Sequence, residues 1–289
     1  MIGRILRFLS WLLCRLPESW ADRLGIAIGT LAYYFDGKHR RQAVENLQMV
    51  FPDWETKQAK RVAKQVFQHF GKTAARFLRA PALTAEDVRR SVRCDGLNLI
   101  REALQEGKGA ILITGHFGNW ERMAHYFAIE GIPLSVIARD ANDAETTRIV
   151  NQARRSEGFE VYPRSKAVRR VLQDLKANRC VGILPDQNAQ DLFVPFFGRP
   201  AGTVSGPAVF HLKTRAPILT TFCVENADGT YQITVRRLDL PEPTGEREED
   251  LRAIMTRINL AIEQAVRERP EQWLWLHDRW RSARREGLL

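Results

Sequence analysis

Gly115-His116-Phe117-Gly118-Asn119-Trp120-Glu121 is the stretch in which residue types and spacing promise chemistry. Histidine is the natural base near neutral pH, since the free side chain titrates at about 6.5. Two glycines around it imply a tight, open backbone from which an imidazole can project toward a substrate. Glu121 follows about one helical turn later. Its carboxylate is expected to turn back on the ring and select the tautomer whose other nitrogen is free to take a proton. Such a base suits direct proton removal from a hydroxyl, which then attacks a thioester with no covalent enzyme intermediate. A serine nucleophile is not favoured, because Gly202-Thr203-Val204-Ser205-Gly206 lacks a glycine in the right relation to Ser205.

The motif needs a strand before it and a helix after it. Ala110-Ile111-Leu112-Ile113-Thr114 reads as a buried strand, and a helix is expected from near Asn119, carrying Trp120, Met123, Ala124 and Phe127. Further strands are expected at 134–138, 159–162, 180–184, 217–224 and 231–238, with helices over 97–104, 144–156, 166–177, 206–214 and 247–268. This alternation predicts an α/β fold with a mostly parallel or mixed central sheet flanked by helices, active residues lying at strand ends. The stretch from 191 to the helix near 206 reads as loop. Residues 38–80 read as helical with a break at Phe51-Pro52-Asp53, Asp53 being a candidate cap and Val62, Val66, Phe67 and Phe70 a buried stripe.

At the N-terminus, Ile5, Leu6, Phe8, Leu9, Trp11, Leu12, Leu13 and Leu16 form a broad apolar surface beside Arg4, Arg7 and Arg15. A second apolar run covers Leu24 to Phe35. Neither approaches the roughly 18–20 uninterrupted apolar residues of a spanning helix. The expectation is an amphipathic helical hairpin lying in a membrane interface, against the alternative of a hairpin packed on the protein's own core. Residues 1–37 are read as this membrane-associating part and 38–289 as a single α/β domain. A cleaved leader is disfavoured because Arg7 interrupts the apolar run and no small-residue site precedes Pro17.

A net charge of +10, from 44 Lys and Arg against 34 Asp and Glu, favours polyanionic partners in general. No finger, RNP or helix-turn-helix pattern accompanies it, so nucleic acid is not the expected partner. With 44% hydrophobic and 27% charged residues the chain belongs among ordinary globular proteins. Cys14, Cys94, Cys180 and Cys223 share no metal-ligand spacing and fit thiols in a reducing compartment. Trp273, Trp275 and Trp280 read either as an aromatic platform or as core and interfacial packing.

The HFGNWE string resembles the His-x4-Asp/Glu motif of the lysophospholipid acyltransferase superfamily. In its glutamate form it is similar to the bacterial lipid A biosynthesis acyltransferases, the late lauroyl and myristoyl transferases. Asn46-Leu47 with Phe51-Pro52, Arg139, Arg154 (with Arg155 beside it), Asp186-Gln187, Phe196-Phe197-Gly198, and Trp275 with His277 and Arg279 extend the resemblance over nearly the whole chain. The C-terminal pattern departs slightly, having Trp280-Arg281 where Phe-Lys is common.

The resemblance implies a lysophospholipid acyltransferase-like fold and transfer of a fatty acyl chain from an acyl carrier protein thioester, or acyl-CoA, to a hydroxyl of a phosphorylated glucosamine lipid. It implies no bound cofactor and a place on the cytoplasmic face of a bacterial inner membrane; a monomer is expected. His116 would be the base and Glu121 its orienting acid. Gly118 and nearby amides would receive the oxyanion. Arg139, Arg154 and Arg279 would hold phosphates or phosphopantetheine through forked guanidinium bonds. Asp186 would either meet substrate or order Arg154 or a neighbouring loop, and one Asp with one Gln makes no metal site. Arg164, Lys166, Arg169 and Arg170 would face the acidic carrier or be a solvated helix face. Phe117, Trp120 and Met123 are candidates for an acyl groove. Other readings are transfer to a mannosylated phosphoinositide or other glycolipid, and a noncatalytic lipid- or carrier-binding protein.

Overall fold

Unbroken apolar runs make the central strands. Ala110–Ile113 and Cys180–Ile183 are buried at every position, as parallel strands covered on both faces must be. In the computed structural model, which describes residues 2–138, 144–163 and 167–289, these two strands are neighbours within a seven-stranded sheet.

Four helices come first: α1 (Ile2–Arg15), α2 (Glu18–Phe35), α3 (Gly37–Val50) and α4 (Thr56–Arg79). Then follow α5 (Ala85–Ser91), β1 (Val92–Asp95), α6 (Leu97–Gln105), β2 (Ala110–Ile113), α7 (Trp120–Ile129), β3 (Leu134–Ala138), α8 (Ala144–Ser156), β4 (Glu160–Pro163), α9 (Ala167–Lys176) and β5 (Cys180–Ile183). A hairpin of β6 (Leu192–Phe196) and β7 (Arg199–Thr203) precedes α10 (Gly206–Thr214), β8 (Ile218–Glu225), β9 (Tyr231–Arg237), α11 (Arg247–Glu268) and α12 (Arg281–Arg285). The sheet order is β1-β9-β8-β2-β5-β3-β4, parallel throughout except where β8 meets β9. The expected α/β class with a mostly parallel sheet is the observed one.

Alternation along β2 divides the core. Ile111 and Ile113 face a cluster with α3, α4, α9 and α11, including Leu47, Val66, Val171 and Ile258. Ala110 and Leu112 face the other side, with Val88, Ile100, Met123 and Phe127 from α5, α6 and α7. The stripe expected on α4 is buried at Val62, Val66 and Phe67 and half-buried at Phe70.

Three local expectations need correction. β1 was not anticipated; its four residues alternate between buried and solvated, as suits a short edge strand. The segment read as loop before α10 contains the β6–β7 hairpin, whose two central residues, Phe197 and Gly198, both lie in the left-handed region with φ of 52° and 70°. A two-residue turn of that hand matches strand twist, but phenylalanine is an unusual residue for it, and the surrounding Gly and Pro disguised the strands. Finally, Glu55 rather than Asp53 stands before α4.

The N-terminal helices pack hard onto α4. A Cβ placed on Gly29 would lie 2.2 Å from the Phe67 carbonyl oxygen, and one on Gly71 would lie 2.3 Å from that of Gly25. Beside this contact the buried Arg76 donates from Nε and Nη2 to Asp22, both at 2.7 Å, and also donates to the Tyr231 hydroxyl. Leu13 of α1 turns inward, whereas Phe8, Trp11, Trp20, Ile28, Leu31, Tyr34 and Phe35 of the first two helices are exposed. No helix among the described residues is long and apolar enough to cross a membrane.

The α2–α4 contact makes Gly29→Leu a test of packing. The substitution gains about 1 kcal/mol of helix propensity but forces backbone apart, which costs roughly 1–3 kcal/mol. Urea denaturation is expected to show a net loss of stability; a raised midpoint would mean that the two helices separate without penalty.

Candidate active site

The register of the sheet builds the site. Ile113 of β2 pairs with Ile183 of β5, and His116 and Asp186 each lie three positions beyond that pair. Both chains leave the sheet at its C-terminal edge, where α/β proteins expose functional groups. The Asp186 carboxylate takes the His116 imidazole through Oδ1, 2.9 Å from Nδ1. Its Oδ2 accepts from the His116 amide at 2.7 Å and from Trp273 Nε1 at 2.9 Å. Burial alone would raise the Asp186 pKa, but the neighbouring imidazole and these hydrogen bonds outweigh it and hold the carboxyl below its ordinary value.

An ionised carboxylate can only accept, so Nδ1 carries the proton and Nε2 presents its lone pair. The imidazole is partly open, with 23% of its side chain exposed against 1% for Asp186. Trp120 leans over it, ring centroids 5.3 Å apart. Gln187 Nε2 lies 3.4 Å from Nε2 of His116.

Glu121, expected to turn back onto the imidazole, is engaged elsewhere. α7 starts at Trp120, with Asn119 capping it through a bond from the Arg122 amide. From this first turn Glu121 reaches α8, where Arg154 grips it with Nε at 3.0 Å and also with Nη2. Trp120 Nε1 donates to the same carboxylate at 3.1 Å. Burial opposes the charge of Arg154, but the bond and charge of Glu121 prevail and raise its pKa. The carboxylate that meets the imidazole is thus that of Asp186, expected at the site but not as the partner of His116.

Gly118 also has a different task. Its φ is +60°, and an added Cβ would fall 1.9 Å from the Cys223 carbonyl oxygen. Its amide donates to Gln272 O at 2.9 Å, and the Asn119 amide to Cys223 O at 2.9 Å. Neither is free to receive an oxyanion. Leu274 N donates to His116 O at 3.1 Å, so a C-terminal segment clamps the loop from one side. His69 of α4 meets Gly118 O at 3.1 Å from another. His69 in turn faces Glu225, whose carboxyl is pulled down to about 2 because His69, Arg76 and Lys72 outweigh its burial.

Arg279, expected to hold substrate, is turned into the core. It is fully buried, donating to Gly202 O at 2.5 Å and Thr203 Oγ1 at 2.6 Å, and burial pushes its pKa down to about 10. Trp273, Trp275 and Trp280 are core residues, at most 1% exposed. Phe117 and Met123 are likewise buried, in separate clusters, and leave Trp120 as the groove candidate nearest the imidazole. Asn46 holds the C-terminal segment, donating to Trp275 O at 2.8 Å and His277 O at 3.0 Å. Arg169 and Arg170 are exposed; Arg139, Arg164 and Lys166 lie outside the described residues. Among the described residues no cluster of three or more His, Cys, Asp or Glu is arranged to hold a metal.

Under the Glu121–Arg154 pair lie two further titratable groups. His125 Nδ1 is 3.9 Å from Glu157 Oε2. Burial, with Arg122 adding to it, lowers His125 to about 4, while burial and Glu121 raise Glu157 to about 8. Both are therefore neutral near pH 7. The folded state keeps a proton on Glu157 that the unfolded chain releases above its ordinary value of 4.5, so this group erodes stability as pH rises from about 4.5 toward 8. Glu157→Gln should consequently gain thermal stability relative to wild type as pH increases across that window. A constant difference in melting temperature at pH 5 and pH 8 would contradict the assignment.

Known proteins match nearly the whole chain. Residues 4–282 match the family described as bacterial lipid A biosynthesis acyltransferase. The chain is 24% identical to a lipid A biosynthesis acyltransferase of Haemophilus influenzae, over 94% of this chain and 83% of that one. It is 24% identical to the lipid A biosynthesis palmitoleoyltransferase of Escherichia coli K12, over 94% and 88%. It is 30% identical to a phosphatidylinositol mannoside acyltransferase of Mycobacterium tuberculosis, over 64% of this chain and 58% of that one.

Proposed function

This chain belongs to the bacterial lipid A biosynthesis acyltransferase family, and from that premise we propose that it carries a fatty acyl chain from an acyl carrier protein thioester to a hydroxyl of a lipid A precursor. It is an O-acyltransferase, as its named relatives are acyltransferases of lipid A biosynthesis. The observation that carries the mechanism is the buried Asp186 carboxylate on His116 Nδ1.

His116 Nε2 takes the proton of the acceptor hydroxyl as its oxygen attacks the thioester carbonyl. Asp186 holds the tautomer and stabilises the imidazolium, the role a buried acid plays behind any histidine base. The carbon–sulfur bond then breaks, and the imidazolium returns its proton to the departing thiolate. No acyl-enzyme is needed. Glu121 acts through Arg154, fixing α7 against α8 beside the base; Arg154 and Arg139 remain the proposed contacts for phosphate or phosphopantetheine.

The acceptor's lipid character is supported by the exposed apolar face of α1 and α2. Phe8 and Trp11 stack at 5.9 Å, and the Arg15 guanidinium sits 3.9 Å from the centre of the Trp11 ring. Aromatic side chains with cations beside them suit the headgroup region of an anionic membrane, at its cytoplasmic face where carrier protein is found.

The identity to the mycobacterial protein favours a second reading, in which the acceptor is a mannosylated phosphoinositide or similar glycolipid. Lipid analysis after deletion separates the two. Loss of one secondary acyl chain from lipid A supports the first reading, and unchanged lipid A with an altered glycolipid supports the second.

A transfer assay with purified enzyme, acyl carrier proteins of several chain lengths and a defined lipid A precursor tests the mechanism. His116→Ala is expected to lower turnover about 10²–10⁴-fold, and Asp186→Asn by a comparable factor through the wrong tautomer. Full turnover by folded His116→Ala would reject His116 as the base, whereas lipid binding without any transfer by wild type would point to a noncatalytic binding protein. In liposome flotation, replacing Phe8 and Trp11 together by Glu is expected to move the protein from the anionic vesicle fraction to the soluble one; unchanged flotation would place the docking face elsewhere.

A further inference from the structure

A thioester carbonyl that is attacked by a hydroxyl develops a full negative charge on oxygen, and a donor must be waiting there. Three backbone amides of this loop are already committed. His116 N is bound to Asp186, Gly118 N to Gln272 O, and Asn119 N to Cys223 O. A side-chain donor beside the reacting nitrogen is therefore of interest.

Gln187 stands at that position. Its Nε2 is 3.4 Å from His116 Nε2, the atom that takes the hydroxyl proton. Among the described residues this is the one hydrogen-bonding contact of its side chain. The backbone that presents it is fixed on both sides. Asp186 is held by His116 and Trp273. Asn188 donates its amide to His277 Nε2 at 2.9 Å, and its side chain exchanges bonds with Ser282, 2.8 Å from Nδ2 to Oγ and 2.9 Å from the Ser282 amide to Oδ1. A primary amide mounted between two anchored neighbours and hydrogen-bonded, among the described residues, to His116 alone is a preorganised donor.

We infer that Gln187 is a further catalytic residue whose side-chain N–H groups receive the oxyanion of the tetrahedral intermediate. This rests on the reading of His116 as base. When the acceptor hydroxyl occupies the space before Nε2, it displaces the weak amide contact. As the new carbon–oxygen bond forms, the hydroxyl proton passes to Nε2 and the carbonyl electron pair moves onto oxygen, which the Gln187 amide then binds. Collapse restores the carbonyl and expels the thiolate, which takes the proton from Nε2. The ester and free thiol balance the hydroxyl and thioester, and Gln187 is unchanged.

The test compares wild type, His116→Ala, Gln187→Met and Gln187→Glu in the full chain, with acyl carrier protein thioester and lipid A precursor. Both Gln187 variants keep the side-chain length and lose the donor; Glu serves as the near-isostere if Met perturbs folding. Turnover is expected to fall about 10²–10³-fold while KM stays within about threefold. For Gln187→Met the acid limb of the pH profile should remain in place. Turnover near wild type in either folded variant overturns the inference. So does a Gln187→Met loss that vanishes at higher pH, which would mean that the amide only sets the titration of the base. His116→Ala with full turnover overturns the base assignment and this inference together, whereas loss with His116→Ala alone overturns only the role of Gln187.

Discussion

A carboxylate with almost no access to water has to be satisfied entirely by the protein, and the site is organised around that requirement. Asp186 is 2% exposed. Its two oxygens accept three bonds, one from an imidazole, one from the amide of the same residue and one from an indole. Leaving such a group short of a partner costs several kcal/mol, so the conformation that feeds it is strongly preferred. That conformation brings together the end of β2, the end of β5 and the segment after α11. Gly115 allows the approach, since a Cβ there would stand 3.0 Å from Asp186 Oδ2.

Around this centre the polar groups form linked layers. Asn119 donates to the Tyr231 hydroxyl, which also accepts from Arg76, and Arg76 holds Asp22 of α2. The first helices are thereby joined by hydrogen bonds to the loop that carries His116. Buried ionic networks add little net stability compared with apolar packing, and their best-attested contribution is to fix one arrangement over others. Here the arrangement fixed is that of α2 and α4 relative to the His116 loop. The Glu121–Arg154 pair does the same between α7 and α8.

The sequence was most readable where physics is local. Unbroken apolar runs mark β2 and β5, and the composition of the His116 loop marks the imidazole that Asp186 meets. Partnership was harder, because it is decided by register. Glu121 is close in sequence, yet a residue in the first turn of a departing helix points toward the next element and not back to the strand end. Asp186 is seventy positions away but shares with His116 the same offset from the paired Ile113 and Ile183. That equality could have been found by aligning the two runs as neighbouring parallel strands. Arg279 shows another limit: nothing in its type separates a phosphate-binding guanidinium from one buried against a carbonyl and a threonine. Phe197 at positive φ likewise hides a tight hairpin within a stretch rich in Gly and Pro.

The clamp on the His116 loop consists of residues that are synthesised late. Gln272, Trp273 and Leu274 bind Gly118, Asp186 and His116, and His277 and Ser282 secure Asn188. On the ribosome, a nascent chain that has emerged through α11 already contains both members of the dyad, but not the groups that hold the loop and the carboxylate. All seven strands of the central sheet precede that point, and the groups that brace its edge at His116 follow it. The sheet edge that carries His116 and Asp186 is therefore braced by groups that all follow α11 in the chain.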